Sequence, residues 1–168
     1  MKYSFLMILQ ILTLSIITLS CKDVEKTINK EAEITAISRV IDSCIGWFKN
    51  KDFDLLFSVV AHDSNYISVH PTDNIIRGFE QFKKNSERFK NPDFQYVRHE
   101  IKDLTINLSR SGDVAWFYCT LNDINTWKGK PANWENTRWT GVLEKRDGRW
   151  MIVQQHFSFA DNYLSGND

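Results

Sequence analysis

Long strand-like segments joined by tight turns fill the second half of the sequence, and they constrain the fold more than any other feature. Four segments are rich in aromatic and β-branched residues, namely residues 94–108, 114–121, 134–145 and 149–158. Asp147-Gly148, between the last two segments, is a strong hairpin signal. The pattern predicts an antiparallel sheet of consecutive hairpins, with a polar loop over residues 122–133.

The first half of the sequence carries helical patterns instead. Apolar residues recur every three or four positions across residues 31–50, which predicts an amphipathic helix. Asp52 is placed to cap a short second helix, and a third helix is predicted after Gly78. A short strand is predicted over residues 65–70, where Pro71 ends it. Helices followed by hairpin-connected strands indicate an α+β domain, with N-terminal helices packed on a strongly curved antiparallel sheet.

The first 20 residues have the features of an export signal. Lys2 precedes an apolar run over residues 5–19 that is short for a membrane span. The run ends just before Cys21 and a polar segment follows, which resembles a bacterial lipoprotein signal with a lipidated cysteine. We therefore expect lipid anchoring at the bacterial cell envelope, with ordinary secretion as the alternative. The expected divisions are a signal peptide over 1–20, a polar tether over 21–30, a folded domain over 31–160 and a tail over 161–168.

Charge and motifs exclude several classes of function. The 21 basic and 21 acidic residues balance, so there is no excess of positive charge to attract nucleic-acid phosphates. The sequence has no Gly-rich phosphate loop, nucleophile elbow or zinc motif. His62, Asp63, His70 and His156 lack a recognisable metal-ligand spacing. We therefore predict no metal, no cofactor, no nucleic-acid partner, and contact with a membrane through the lipid anchor only.

Several short motifs occur in a characteristic order along the domain. They are Trp47-Phe48-Lys49-Asn50-Lys51-Asp52, Arg77-Gly78, Gly112-Asp113-Val114-Ala115-Trp116, Arg138-Trp139-Thr140-Gly141-Val142-Leu143, Asp147-Gly148-Arg149-Trp150 and His156-Phe157-Ser158. In this order they resemble the SnoaL-like branch of the nuclear transport factor 2-like superfamily. The resemblance implies a cone-shaped α+β fold with an internal pocket, and frequent dimerisation through the outer face of the sheet. The superfamily includes isomerases, cyclases, dehydratases and a kinase association domain, so the fold alone does not imply a function.

The last strand suggests which side chains line the pocket. With a period of two, His156 and Ser158 share a face with Trp150. If that face looks into the cone, His156 could act as a general acid or base, with Arg138 and Tyr118 as electrostatic helpers. The predicted ligand-binding residues are Trp47, Phe57, Tyr66, His70, Trp116, Thr140 and Ser158.

The opposite face of the sheet is equally apolar. Residues 115–121 and 151–157 place apolar side chains on it at alternate positions. A sheet that is apolar on both faces must bury both, so a second copy is expected to cover the outer face as a homodimer. If the two faces are exchanged, the predicted site becomes the contact surface instead.

Three functions remain open at this point. The first is binding of a small, partly apolar molecule with a carbonyl or carboxylate group at the cell envelope. The second is an enzyme of the cyclase, dehydratase or isomerase type that uses His156, and the third is a non-catalytic dimeric assembly module. The middles of the strand faces expected to line the pocket carry no Asp or Glu, and Glu144 lies near a hairpin end, which disfavours proton abstraction by a carboxylate and favours the first function.

Overall fold

The computed structural model describes residues 28–159, so the predicted signal peptide, Cys21 and the tail lie outside the described residues. The helices are α1 (Lys30–Gly46), α2 (Phe53–Ser58) and α3 (Phe79–Ser86), with 3₁₀ turns at Trp47–Lys49 and Glu87–Lys90. The strands are β1 (Ile67–Val69), β2 (Ile75–Arg77), β3 (Phe94–Leu108), β4 (Val114–Trp127), β5 (Lys130–Pro131), β6 (Trp134–Arg146) and β7 (Arg149–Ser158). Within residues 28–159, no helix has both the length and the apolar character needed to cross a membrane.

The seven strands form a single curved sheet in the order β2-β1-β7-β6-β4-β3, with β5 paired to β4. Helices that precede the long strands and pack on one face of the sheet confirm the predicted α+β class. The prediction of a purely antiparallel sheet is wrong at one pairing, because β1 runs parallel to β7. These two strands are far apart in the sequence, so no tight hairpin dictates an antiparallel direction between them.

Strand β4 is longer than its sequence pattern predicted. It continues to Trp127 and turns back through Lys128-Gly129, both with positive φ, into β5. The predicted loop over residues 122–133 is therefore largely a β-hairpin arm. Its inward positions Asp123 and Asn125 are polar, which removed the apolar alternation on which the strand prediction depended.

The hydrophobic core lies between the helices and the inner face of the sheet. Ile37 and Ile41 of α1 are fully buried against this face, where Leu121, Trp139 and Leu143 are also fully buried. The predicted cap of α2 is present, because the carboxylate of Asp52 accepts a hydrogen bond of 2.9 Å from the backbone of Leu55.

A β-bulge in β7 decides which of its side chains face inward. Val142 pairs with Gln154, whereas the next residue of β6 pairs with Ile152, so Val153 is the extra residue. Trp150 and Ile152 face inward before the bulge, and the inward positions after it are Gln155 and Phe157. The sequence-based prediction assumed an uninterrupted period of two along β7. It therefore assigned the residues after the bulge to the wrong face of the sheet.

Candidate functional site

A cavity of about 750 Å³ lies between the helical layer and the inner face of the sheet. Its aromatic lining residues are Trp47, Phe48, Phe82, Phe89, Phe94, Trp127, Trp134 and Phe157. Its polar lining residues are Ser68, His70, Thr72, Asn74, Ser86, Arg88, Asp123, Asn125, Asn133 and Gln155. A cavity of this size, with aromatic walls and a few polar groups, has the composition of a small-molecule site.

The polar lining is divided between a buried floor and an open mouth. Ser68 and Gln155 are buried where β1 and β7 pair, and they form the floor. Thr72, Arg88 and Trp127 are exposed at the opposite side, so the cavity opens to solvent there.

Two of the residues predicted to bind a ligand line this cavity. Trp47 and His70 are both on its wall, where His70 lies between Trp134 and Phe157 with ring-centroid distances of 5.6 and 5.9 Å. Phe57 and Tyr66 belong to the packing beneath the helices instead. The ring of Phe57 packs on three other phenylalanines, and Tyr66 is fully buried.

The other predicted site residues lie together on the outer face of the sheet. Tyr118, Thr140 and His156 occupy one cross-strand row, and Arg138 faces Ser158 in the next. Trp116, also on this face, is 48% exposed. The expectation that this face lines the pocket is wrong, because the bulge at Val153 and the burial of residues 115, 117, 119 and 121 set the opposite face inward.

Sequence reasoning missed the polar residues of the cavity, above all Gln155, Asp123 and Asn125. Gln155 was assigned to the outer face, and the other two were assigned to a loop. The alternation of Leu121, Asp123, Asn125 and Trp127 was a usable signal, since all four fall on one face of a continued strand.

His70 is a neutral imidazole at neutral pH. Its partial burial, and secondarily the positive charge of Arg88, lower the pKa of the ring below its ordinary value. Its Nε2 atom is 3.3 Å from the hydroxyl of Ser68. A neutral histidine in a cavity can donate one hydrogen bond and accept one, depending on which nitrogen carries the proton.

Asp123 supplies the carboxyl group that the sequence pattern had not placed in the pocket. Burial raises the pKa of this group, and hydrogen bonding to Asn125 and the charge of His99 only partly oppose the rise. One oxygen of Asp123 and the side-chain oxygen of Asn125 are buried without a hydrogen-bond partner within residues 28–159. The argument against carboxylate chemistry, which depended on the opposite sheet face, therefore does not hold.

We expect Asp123→Asn to stabilise the protein at pH 7 by about 1–2 kcal/mol, because it removes a buried and incompletely hydrogen-bonded charge. The folded-state pKa of Asp123 lies above the unfolded value, so the wild type loses stability as pH rises above the ordinary Asp range. The gain should therefore disappear near pH 3, where the group is protonated in both states. Urea unfolding at both pH values measures this.

Asp73→Asn, at an exposed position of the β1–β2 turn, is the matched control and should change little at either pH. A destabilised Asp123→Asn variant at pH 7, or a gain of equal size at pH 3, would contradict the proposed burial of an unfavourable charge.

A protein-family model and several solved structures match the chain. The model of the SnoaL-like domain matches residues 37–162. No match was found among the curated proteins. Within residues 28–159, no group of three or more His, Cys, Asp or Glu side chains is arranged to hold a metal ion.

Three of the similar structures illustrate the range of this fold. A candidate dehydratase of the nuclear transport factor 2-like family from Streptomyces avermitilis has a TM-score of 0.67 at 16% identity, covering 78% of this chain and 98% of that one. A candidate scytalone dehydratase from Novosphingobium aromaticivorans has a TM-score of 0.61 at 14% identity, covering 75% and 83%. The association domain of C. elegans CaMKII has a TM-score of 0.60 at 18% identity, covering 77% and 98%. At these identities the likeness shows the nuclear transport factor 2-like cone fold alone.

Proposed function

Because the chain belongs to the SnoaL-like domain family, we propose that it binds a small, partly apolar molecule with a carbonyl or carboxylate group in its internal cavity. The observation that carries this proposal is the cavity of about 750 Å³, which has aromatic walls, a polar floor and a cationic mouth. A solid core would not leave this volume open beside buried polar groups.

The aromatic walls supply the apolar part of the binding energy. Phe48, Phe89 and Phe94 pack edge-on or tilted against one another with centroid distances of 5.1–5.3 Å. Rings that are already held in place lose little conformational entropy when a ligand binds. These walls favour an aromatic or alicyclic ligand body.

Arg88 supplies the oxygen-binding group at the mouth. Its guanidinium lies 4.7 Å from the ring centroid of Phe89, and it makes no ion pair with any acidic residue within residues 28–159. Partial desolvation lowers the pKa of this arginine, but it remains charged at neutral pH. A guanidinium on an aromatic wall is well suited to a carboxylate or carbonyl oxygen.

The test combines native mass spectrometry of the protein purified from its host with titration of a panel of aryl carboxylates, including phenylacetate. We expect a bound small molecule or a saturable carboxylate, with Arg88→Ala weakening phenylacetate binding about tenfold. Arg110→Ala, an exposed arginine in the β3–β4 turn, is the control and should bind like the wild type. An empty protein that binds no member of the panel would contradict the proposal.

Asp123 favours a second candidate function, an enzyme that moves a proton on the bound molecule. A desolvated carboxyl group with a raised pKa and a neutral histidine in one cavity have the properties of an acid–base pair. Two of the similar structures are candidate dehydratases, which is consistent with this chemistry. Turnover of a bound carbonyl compound that Asp123→Asn abolishes, with binding retained, would support the enzyme over the binding protein.

We also propose that the outer face of the sheet joins two copies of the protein. Trp116 and Tyr118 are 48% and 41% exposed there, beside Val142, and large exposed aromatics of this kind favour a protein contact. Sedimentation of the protein as a single copy would contradict this proposal.

Lipid attachment at Cys21 remains our proposal for the envelope location. Loss of fatty-acid labelling in the Cys21→Ala variant is the expected result, and unchanged labelling would contradict the proposal.

A further inference from the structure

Two polar side chains on the cavity wall each carry an acceptor oxygen that no donor within residues 28–159 satisfies. In this part of the chain, the buried side-chain polar atoms without a hydrogen-bond partner are Asp123 Oδ1, Asn125 Oδ1, Thr137 Oγ1 and Trp139 Nε1. Of these four residues, Asp123 and Asn125 line the cavity and the other two do not. Asp123 and Asn125 occupy alternate positions of β4 and are called here the acceptor wall.

Hydrogen bonds hold the backbone of the acceptor wall in place. Asp123 lies on a strand that is paired on both sides, with β3 and with β6. The backbone N–H of Asn125 donates to Asn133 Oδ1 at 3.2 Å, and its carbonyl oxygen accepts from the backbone of Ala132 at 3.0 Å. The last torsion of an Asp or Asn side chain is soft, so its oxygen can still turn toward a donor. The acceptor wall therefore stays at the cavity and can present its oxygens to a bound molecule.

The surroundings of Asp123 favour an uncharged donor. The carboxyl group makes no ion pair within residues 28–159, and burial raises its pKa. A buried acceptor without a partner costs free energy, and a hydroxyl group of the ligand would supply that partner without burying a second charge. An ammonium group would have to leave water as an ion, in a cavity that already contains the guanidinium of Arg88. A hydroxyl group is therefore the better match.

We propose that the acceptor wall binds a hydroxyl group of the ligand, which donates a hydrogen bond to Asp123 with Asn125 as the second acceptor. This inference rests on the proposed binding function. It narrows the ligand class to aryl or alicyclic compounds that carry a hydroxyl group in addition to the carbonyl or carboxylate oxygen. Arg88 offers donors and the acceptor wall offers acceptors, so a ligand that matches both should bind more tightly than one that matches Arg88 alone.

The experiment compares ligands that differ in one group, by calorimetric titration of the full protein at neutral pH. The donor is present in 3- and 4-hydroxyphenylacetate, the matching methoxyphenylacetates carry an acceptor only, and phenylacetate carries neither. We expect the tighter hydroxyl isomer to bind about tenfold more tightly than phenylacetate, a ratio called here the hydroxyl gain. Its methoxy counterpart should show no gain. Two hydroxyl isomers without a gain, or an equal gain in the methoxy counterpart, would overturn the proposal.

Variants then test which side chains produce the hydroxyl gain. Asp123→Ala should reduce it to about threefold or less, and Asn125→Ala should reduce it by a smaller factor. Thr137→Val is the matched control, because Thr137 is fully buried with an unpartnered hydroxyl oxygen within residues 28–159 but does not line the cavity. This control should keep the full gain.

A full hydroxyl gain in Asp123→Ala would overturn the assignment of the acceptor wall, and so would a gain that Thr137→Val removes. The comparison of hydroxyl and methoxy ligands uses the wild-type protein alone. It therefore remains a complete test if Asp123→Ala fails to fold.

Ligands without a carboxylate separate this inference from the proposed function. The pair is 4-methylphenol, which carries the donor, and 4-methylanisole, which does not. Preferential binding of 4-methylphenol without binding of any carboxylate would overturn the proposed carboxylate function and support the acceptor wall. Carboxylate binding without a hydroxyl gain would overturn the acceptor wall alone. If neither the carboxylates nor 4-methylphenol bind, both are overturned.

Discussion

Replacing Trp139 by alanine should lower the free energy of unfolding by about 3–5 kcal/mol, a large part of the total stability of a domain this size. Trp139 is fully buried on the inner face of β6. Its ring stacks on Phe157 with centroids 5.2 Å apart and an angle of 16° between planes, and Phe117 meets it edge-on at 5.0 Å. Its indole nitrogen has no hydrogen-bond partner within residues 28–159, so the expected loss comes from apolar contacts.

Urea unfolding measures this effect, and Trp116→Ala is the matched control. Trp116 lies on the adjacent strand but on the outer face, where it is 48% exposed. We expect its removal to cost less than about 1 kcal/mol within one subunit. If Trp116→Ala were the more damaging change, the assignment of inner and outer faces would be wrong. Sedimentation of the same variant tests the outer face as a contact between copies, because loss of this indole should weaken a dimer.

Gly141→Val should be the most damaging small-to-large substitution in the sheet, with a cost of about 3 kcal/mol or more. A Cβ atom at Gly141 would lie 2.5 Å from a ring carbon of Phe117 and 2.9 Å from the backbone oxygen of Gln154. Neither neighbour can move freely, because Phe117 is buried and Gln154 belongs to the β7 backbone beside the bulge. A larger side chain at Gly141 is therefore excluded by the lack of space around it and not by the backbone conformation.

The substitution series Gly141→Ala and Gly141→Val, followed by thermal and urea unfolding, checks this prediction. Alanine should cost about 1–3 kcal/mol and valine more, whereas Thr140→Val on the outer face should change stability by about 0.5 kcal/mol or less. Phe117→Leu should recover part of the loss when combined with Gly141→Ala, because it removes the closest atom. Strictly additive effects in this double variant would argue against the close contact.

The cavity links these stability predictions to function. Trp139 supports Phe157, which forms part of the cavity wall, and Gly141 faces Gln155, which forms part of its floor. Substitutions at either position should therefore alter binding as well as folding. Asp123 differs from both, since we expect its buried carboxyl group to cost stability, although it lines the cavity in which we propose that a ligand binds.

Much of the fold could be predicted from local patterns in the sequence. The β-prone residue types of 114–121, the Asp147-Gly148 turn and the Asp52 cap each reflect a short-range preference, and the structure contains the strand, the hairpin and the capped helix. The positions of Trp47 and His70 followed from the same reasoning combined with the family resemblance. Both lie on the cavity wall.

The orientation of the sheet could not be predicted in the same way. Alternation divides a strand into two sets of side chains, but it does not say which set faces inward when both are apolar. In β4, the set with Ala115 and Phe117 is buried and the set with Trp116 and Tyr118 is exposed, although the second set is the more aromatic. The inner face of β4 packs against the helical layer, and little space is left beside Gly141 on the neighbouring strand. Both constraints favour the set with Ala115 and Phe117, which has the smaller side chains, on the inner face.

The sequence by itself therefore determined the α+β class and most of the helices and strands in their order, but not β2, β5 or the end of β4, because capping, turn formation and periodicity act over a few residues. The tertiary structure decided which face encloses the cavity, because the extra residue Val153 exchanges the two faces of β7 halfway along the strand. It also brought Gln155 within hydrogen-bond distance of both Cys44 and Tyr66. Hydrogen bonds between residues up to 111 positions apart exist only once the helices close over the sheet.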